Sequence, residues 1–69
     1  VITRYSIAWI NAAIYTGDNG RVLGFDNAHN YHHRHLMGVI EAVDFSSFEA
    51  TYDRFVEEWM CLVQAHKQQ

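Results

Sequence analysis

Residues 46 to 66 read SSFEATYDRFVEEWMCLVQAH, and this stretch decides the fold. Large apolar side chains recur in it every three or four residues, which is the period of one face of an α-helix. The stripe comprises Phe48, Tyr52, Phe55, Trp59, Leu62 and His66, widened by Val56, Met60 and Val63. Ser46 and Glu49 have the spacing of a capping box at a helix start. The pattern predicts a helix over residues 47 to 66 that packs this stripe on a sheet.

The opposite side of the predicted helix is polar and should face water. It comprises Asp53, Arg54, Glu57, Glu58 and Gln64. Arg54 and Glu58 lie one helical turn apart, so the spacing predicts an ion pair between them.

The strands of the sheet lie upstream of the helix. Residues 1 to 10 (VITRYSIAWI) and residues 21 to 25 (RVLGF) are rich in β-branched and aromatic side chains, and the segment Asp18-Asn19-Gly20 between them is a turn signal. These two strands are predicted to pair as an antiparallel hairpin, and residues 39 to 43 (VIEAV) suggest a short third strand. The expected fold is α+β, with a small antiparallel sheet of two to three strands packed against one C-terminal α-helix.

Length and composition bound the class of protein. The chain has 69 residues, which leaves room for a single domain over residues 1 to 69. With 49% hydrophobic and 19% charged residues, it falls in the range of folded proteins. One cysteine, Cys61, excludes an internal disulfide, and no apolar run is long enough to suggest a membrane span, so we expect a cytoplasmic protein. Because the sequence begins at Val1, we also expect a longer natural N-terminus.

The formal charge of -3 hides an asymmetry between the two halves. Residues 1 to 40 hold three arginines against two aspartates, whereas residues 41 to 69 hold two basic against six acidic side chains. A chain whose whole surface follows nucleic-acid phosphates would be basic throughout. Any contact with RNA is therefore expected to be local and to involve the first half.

The most unusual segment is residues 26 to 35, which read DNAHNYHHRH. Four of the five histidines fall in it, and residues 26 to 38 show neither helical nor strand periodicity. We interpret residues 26 to 38 as an ordered loop with extended pieces, a common place for functional residues.

Acid–base chemistry on RNA is the first hypothesis for this segment. Metal-free cleavage of a phosphodiester needs a base, an acid and a cation near the phosphorus. Imidazole titrates nearest to neutral pH, guanidinium pairs with phosphate, and a carboxylate can orient an imidazole. The candidate catalytic residues of this possible ribonuclease are Asp26, His29, His32, His33, Arg34 and His35.

Metal binding is the second hypothesis. In an extended backbone, His33 and His35 point to the same face, and His29 or Asp26 can complete a three-ligand site for a divalent metal with one open position. The metal candidates are therefore His29, His33 and His35, and no other cofactor is expected. A non-catalytic interaction or regulatory module, with structural or metal-binding histidines, is the alternative to an enzyme.

The run RVLGFDNAHNYHHRHLMG over residues 21 to 38 carries a family resemblance, together with RYSIAWI upstream and VDFSSF downstream. It resembles the small TumE-type toxins of bacterial toxin–antitoxin loci. Its specific part is the step from Asp26 to His29 followed by the His-His-Arg-His cluster. The resemblance implies a hairpin, a histidine-rich stretch and a C-terminal helix, a helix-turn-helix antitoxin as partner, and an attack on a nucleic acid or a translation component.

The apolar stripe of the helix also bears on partners. It is wide for a chain of this size, and we do not expect one face of a small sheet to cover Val56, Met60 and Val63 along with Phe55 and Trp59. We therefore expect a homodimer formed through the C-terminal helix or a sheet edge.

Overall fold

The computed structural model describes residues 4–28 and 31–67. They form a four-stranded antiparallel sheet with strand order β1-β2-β3-β4, followed by one α-helix. The elements are β1 Ser6–Ile10, β2 Arg21–Asp26, β3 His33–Leu36, β4 Val39–Ala42 and α1 Phe48–Lys67. The predicted α+β class is confirmed, whereas the sheet has four strands rather than two to three.

The predicted hairpin is present as β1 and β2. Ile7 pairs with Phe25 and Trp9 pairs with Leu23 in antiparallel register. The turn signal before β2 forms a short 3-10 turn over Asp18–Gly20, in which Asp18 and Asn19 have positive φ angles of 49° and 56°. Short polar side chains tolerate this left-handed conformation, so the sequence signal has its expected structural basis.

Strand β3 corrects the prediction of a loop over residues 26 to 38. His33 and His35 are buried on one face, while Arg34 and Leu36 lie on the other. Both faces of this strand are lined partly by polar side chains, so the apolar alternation that reveals a strand is missing. Met37 and Gly38, both with positive φ, then form a tight turn into β4, which is the strand predicted over residues 39 to 43.

The core lies between α1 and the first two strands. Tyr5, Leu23 and Phe25 are its buried members, and α1 packs against β2 and β1. The helix contributes Phe48, Phe55 and Leu62, which repeat every two turns. The predicted stripe is therefore too wide, because Tyr52 is 49% and Met60 59% exposed. Trp59 lies at the margin, edge-on to Trp9 with ring centroids 6.4 Å apart.

The start of α1 differs from the predicted capping box by one residue. The Ala50 amide donates to Ser47 Oγ at 3.0 Å, so Ser47 rather than Ser46 is the N-cap. Glu49 then stands at the second helical position, where it cannot complete the box. Neither α1 nor any other described helix combines the length and apolar character that crossing a bilayer requires.

Candidate active site

The register of β2 and β3 brings a carboxylate and two imidazoles to one face of the sheet. Asp26 pairs directly with His33, and Gly24 pairs with His35, so Asp26 lies diagonal to His35. Phe25 and Arg34, which alternate with these residues, point towards α1. The Asp26, His33 and His35 side chains therefore share the face opposite the helix, and we call them the Asp–His–His cluster.

Asp26 joins the two histidines through separate oxygens. His35 Nε2 lies 2.9 Å from Asp26 Oδ2, and His33 Nε2 lies 3.2 Å from Asp26 Oδ1. Both histidines are buried, each 5% exposed, and the Asp26 side chain is 13% exposed. Water screens the charges of a buried cluster weakly, so electrostatic interactions within it are stronger than on an open surface.

The second nitrogen of His33 also faces an acceptor. His33 Nδ1 lies 2.9 Å from the backbone oxygen of Tyr31. A carbonyl oxygen only accepts hydrogen bonds, and so does an ionised carboxylate. The contact of Nδ1 with the Tyr31 oxygen fixes the orientation of the His33 ring and directs Nε2 at Asp26.

His35 differs from His33 in the environment of its second nitrogen. His35 Nδ1 is buried and has no hydrogen-bond partner among the described residues. When His35 donates Nε2–H to Asp26 as a neutral ring, Nδ1 keeps its lone pair. The two imidazoles of the cluster therefore differ in the surroundings of their second nitrogen.

Asp26 also shapes the backbone that follows β2. Its Oδ1 accepts a hydrogen bond from the Ala28 amide at 3.2 Å, the local turn that short polar side chains favour. Asn27 Oδ1 accepts from the Tyr5 amide at 2.9 Å. The Asp-Asn pair thus has a structural role as well as its place in the cluster. An open cavity of about 320 Å³ adjoins Asp26 and is lined also by Arg4, Tyr5, Ser6 and Ala28.

Arg21 also lies beside the cluster, although the sequence did not indicate it as a candidate. Its Nη1 lies 3.8 Å from Asp26 Oδ2, and Asp18 holds the same guanidinium through contacts of 2.8 and 3.1 Å. The hydrogen bond from Arg21 is the main reason why the pKa of Asp18 is lowered. Strict alternation along β2 would place Arg21 on the helix face with Leu23 and Phe25.

A register shift explains where Arg21 lies. Trp9 pairs with Leu23 but Ile10 pairs with Arg21, so β2 has one extra residue at this point. Such a bulge redirects a side chain. Gly24 provides room beside it, because a Cβ there would lie 2.9 Å from Arg21 Cδ and 3.3 Å from the Ile7 oxygen. A glycine within a strand, here Gly24, is a sequence signal of a bulge or of close packing, but it does not say which side chain is redirected.

Tyr31 covers the outer side of the cluster. Its ring stacks on His33 with centroids 4.3 Å apart and an angle of 15° between the planes. Tyr31 itself is 47% exposed. An aromatic surface therefore stands between His33 and solvent.

His32 lies apart from the cluster, although it is the neighbour of His33. Its Nδ1 is hydrogen-bonded to the Tyr5 hydroxyl at 2.9 Å, and its ring stacks on Phe45 at 4.1 Å. Burial raises the pKa of Tyr5. His29 lies outside the described residues. Of the four histidines predicted as site residues, the structure brings His33 and His35 together with Asp26.

Arg34 also lies away from the cluster, on the helix side of the sheet. Its Nε donates to Glu58 Oε1 at 2.8 Å and its Nη1 to Glu41 Oε1 at 3.1 Å. The hydrogen bond to Glu58 is the main reason why the pKa of Arg34 is raised. The predicted pair of Arg54 and Glu58 is confirmed at 2.7 Å, but Glu58 is half-buried between two arginines rather than facing open water. The phosphate-binding role of Arg34 stays a prediction.

Comparison with known proteins identifies the family. A family model described as Toxin TumE matches residues 1–64 of the chain. The chain belongs to the TumE toxin family. The resemblance noted in the sequence is thereby confirmed, and a toxin of this kind implies an antitoxin partner. No curated protein and no solved structure matches the chain.

Proposed function

We propose that this TumE family member is the toxin of a bacterial toxin–antitoxin module and that it cleaves RNA by proton transfer at the Asp–His–His cluster. The observation that supports this most strongly is the carboxylate of Asp26 between two buried imidazoles, at 2.9 and 3.2 Å. An imidazole oriented by a carboxylate is a common form of general acid and base in enzymes.

The proposed reaction needs one proton acceptor and one proton donor. The base removes the proton of a ribose 2′-hydroxyl, that oxygen attacks the adjacent phosphorus, and the acid protonates the departing 5′-oxygen. The products are a 2′,3′-cyclic phosphate and a 5′-hydroxyl. We assign the acid to His33, whose two nitrogens both face acceptors, and the base to His35, which keeps a lone pair.

Two neighbouring side chains complete the proposal. Arg21 supplies a cation on the same face of the sheet as Asp26, where it can balance the charge that develops on a phosphate. Tyr31 must leave His33 before a substrate can reach the ring, and a nucleic-acid base is a suitable stacking partner for the displaced tyrosine. Stacking on Tyr31 would therefore couple RNA binding to exposure of the acid.

The experiment compares histidines at two places in the fold. The double variant His33→Ala/His35→Ala and the control His66→Ala, on α1, are each expressed from an inducible promoter in a bacterial growth assay. The same proteins are incubated with end-labelled RNA in the presence of a chelator. We expect the double variant to lose toxicity and cleavage, and His66→Ala to keep both. Undiminished toxicity of a folded double variant would disprove the proposal.

The nature of the partner is a second part of the proposal. We infer a small helix-turn-helix antitoxin and a homodimer through α1 or the sheet edge, in a cytoplasmic protein. Met60 on α1 and Val39 and Ile40 on β4 are exposed apolar side chains on these two surfaces. Light scattering tests the dimer, and a monomer at micromolar concentration would contradict it. The gene beside that of the toxin tests the partner, since it should encode a helix-turn-helix protein.

A further inference from the structure

We propose that the Asp–His–His cluster is also a binding site for one divalent transition-metal ion of the Zn²⁺ class, which inhibits the toxin when it is bound. The ligands are the Nε2 atoms of His33 and His35 and an oxygen of Asp26. Binding itself does not depend on the proposed function. The inhibition does rest on it, because the ion would hold the rings of His33 and His35, which the proposed reaction needs for proton transfer.

The positions of the ligand atoms support this site. One ligand atom from each of Asp26, His33 and His35 lies within 4.8 Å of the others. Two ligands of a tetrahedral zinc ion, with bonds of about 2.0 to 2.1 Å, stand about 3.3 Å apart. The distances of 2.9 and 3.2 Å from Asp26 to the two imidazoles are already close to that value. Small rotations of the side chains would therefore suffice to bind the ion.

The surroundings of His33 resemble those of a metal-binding histidine. Such a ring generally donates its other N–H to a carbonyl or carboxylate, which fixes the ring and leaves the ligating nitrogen free. His33 Nδ1 makes this contact with the Tyr31 oxygen at 2.9 Å. Three protein ligands leave a fourth tetrahedral position open, which water or another ligand fills in zinc sites of this kind.

Arg21 provides an electrostatic test of the site. Its guanidinium lies 3.8 Å from Asp26 Oδ2, so it opposes a second cation there, although Asp18 partly offsets its charge. Replacing Arg21 with glutamine removes this repulsion and leaves Asp18 unpaired nearby. The Arg21→Gln variant should therefore bind the metal several-fold more tightly than the wild type. A purely structural effect of the substitution would weaken binding instead.

The experiment measures metal binding without RNA. Untagged protein is stripped with a chelator and titrated with Zn²⁺ by calorimetry, and with Co²⁺ while its visible absorption is recorded. We expect one ion per chain. Asp26→Asn and His35→Gln should each lose at least about tenfold in affinity, because even loss of an outer contact to a ligand costs that much. His32→Gln and His66→Gln are matched controls that should bind as the wild type does.

The outcomes separate the two proposals. Absence of saturable binding, or equal binding by wild type and Asp26→Asn, would overturn the metal site whether or not the protein cleaves RNA. One-to-one binding that depends on Asp26 and His35 would establish the site even if no RNA is cleaved. Where RNA is cleaved, added Zn²⁺ should slow the wild type and a chelator should restore it. Cleavage that a chelator abolishes and Zn²⁺ restores would instead overturn the inhibition.

Discussion

The two faces of β3 differ although they are made by alternate residues of one strand. On the helix side, Arg34 joins the sheet to Glu58 of α1, beside an aromatic core. On the other side, His33 and His35 converge on Asp26, and Tyr31 stacks on His33. The helix face pairs full charges across two elements, which stabilises the packing. The opposite face gathers side chains of the kinds that can exchange protons or bind metals, so our proposal assigns stability to the first face and function to the second.

The largest expected effect tests the functional face. Asp26→Asn keeps the size of the side chain but removes its charge and one of its two acceptor oxygens, so it cannot orient both imidazoles. We expect the rate of RNA cleavage to fall by about 10²- to 10⁴-fold, the range of general acid–base catalysis. Asp53→Asn, on the exposed side of α1, is the control and should leave the rate unchanged. Equal cleavage rates for folded Asp26→Asn and Asp53→Asn would contradict the assignment of function to the face opposite the helix.

The next largest effect tests the stabilising face. Phe25 is 1% exposed and lies edge-on to Phe55. Phe25→Ala should destabilise the fold by about 3 to 5 kcal/mol, which is a large part of the stability of a small domain. Thermal unfolding followed by circular dichroism should show a strongly lowered midpoint. Tyr52→Ala, at an exposed position of α1, should melt close to the wild type. If Phe25→Ala and Tyr52→Ala unfolded at similar temperatures, Phe25 would not be a core residue.

A smaller effect concerns the charges between β3 and α1. Glu58→Gln leaves the half-buried Arg34 with Glu41 as its described partner, so we expect a loss of about 1 to 2 kcal/mol in urea unfolding. Burial acts to raise the pKa of Glu58, but its hydrogen bonds from Arg34 and Arg54 outweigh burial and hold the pKa below its usual value of 4.5. The interaction therefore stabilises the fold above that pH and is lost as the pH falls.

The effect of pH on stability provides a check on the role of the Glu58 charge. The difference in stability between wild type and Glu58→Gln should be full above about pH 5 and shrink below about pH 4, because Glu58 is then increasingly protonated. Glu57→Gln, one residue away and exposed, should show no such difference. If the difference in stability between wild type and Glu58→Gln stayed the same at acid pH, the charge of Glu58 would not be what holds Arg34.

The smallest effect concerns the helix start. Ser47→Ala removes the hydroxyl that accepts from the Ala50 amide and should destabilise the fold by about 1 kcal/mol. Ser46→Ala should have almost no effect. If Ser46→Ala destabilised the fold more than Ser47→Ala in urea unfolding, the capping box predicted from the sequence would be supported instead.

The face of the sheet that packs on α1 was largely predictable from the sequence, whereas the Asp–His–His cluster on the opposite face was not. The period of Phe48, Phe55 and Leu62 is a local property of the sequence, so α1 was placed within one residue at each end. The cluster depends on which residue of β2 pairs with which residue of β3, and this register is a non-local property. Alternation did predict that His33 and His35 share a face. It could not separate Arg34 from that site in a segment interpreted as a loop, nor place Arg21, which a bulge redirects.

The assignment of stability to one face of the sheet and function to the other is tested most directly by comparing two adjacent histidines. His32 is hydrogen-bonded to Tyr5 and stacked on Phe45, whereas His33 contacts Asp26. The measurement is the rate of RNA cleavage, with growth inhibition in parallel, for His32→Gln and His33→Gln proteins whose folding is verified by circular dichroism. We predict that His33→Gln loses cleavage and toxicity while His32→Gln retains both. Loss of activity in His32→Gln with full activity in His33→Gln would contradict the assignment of function to the face opposite the helix.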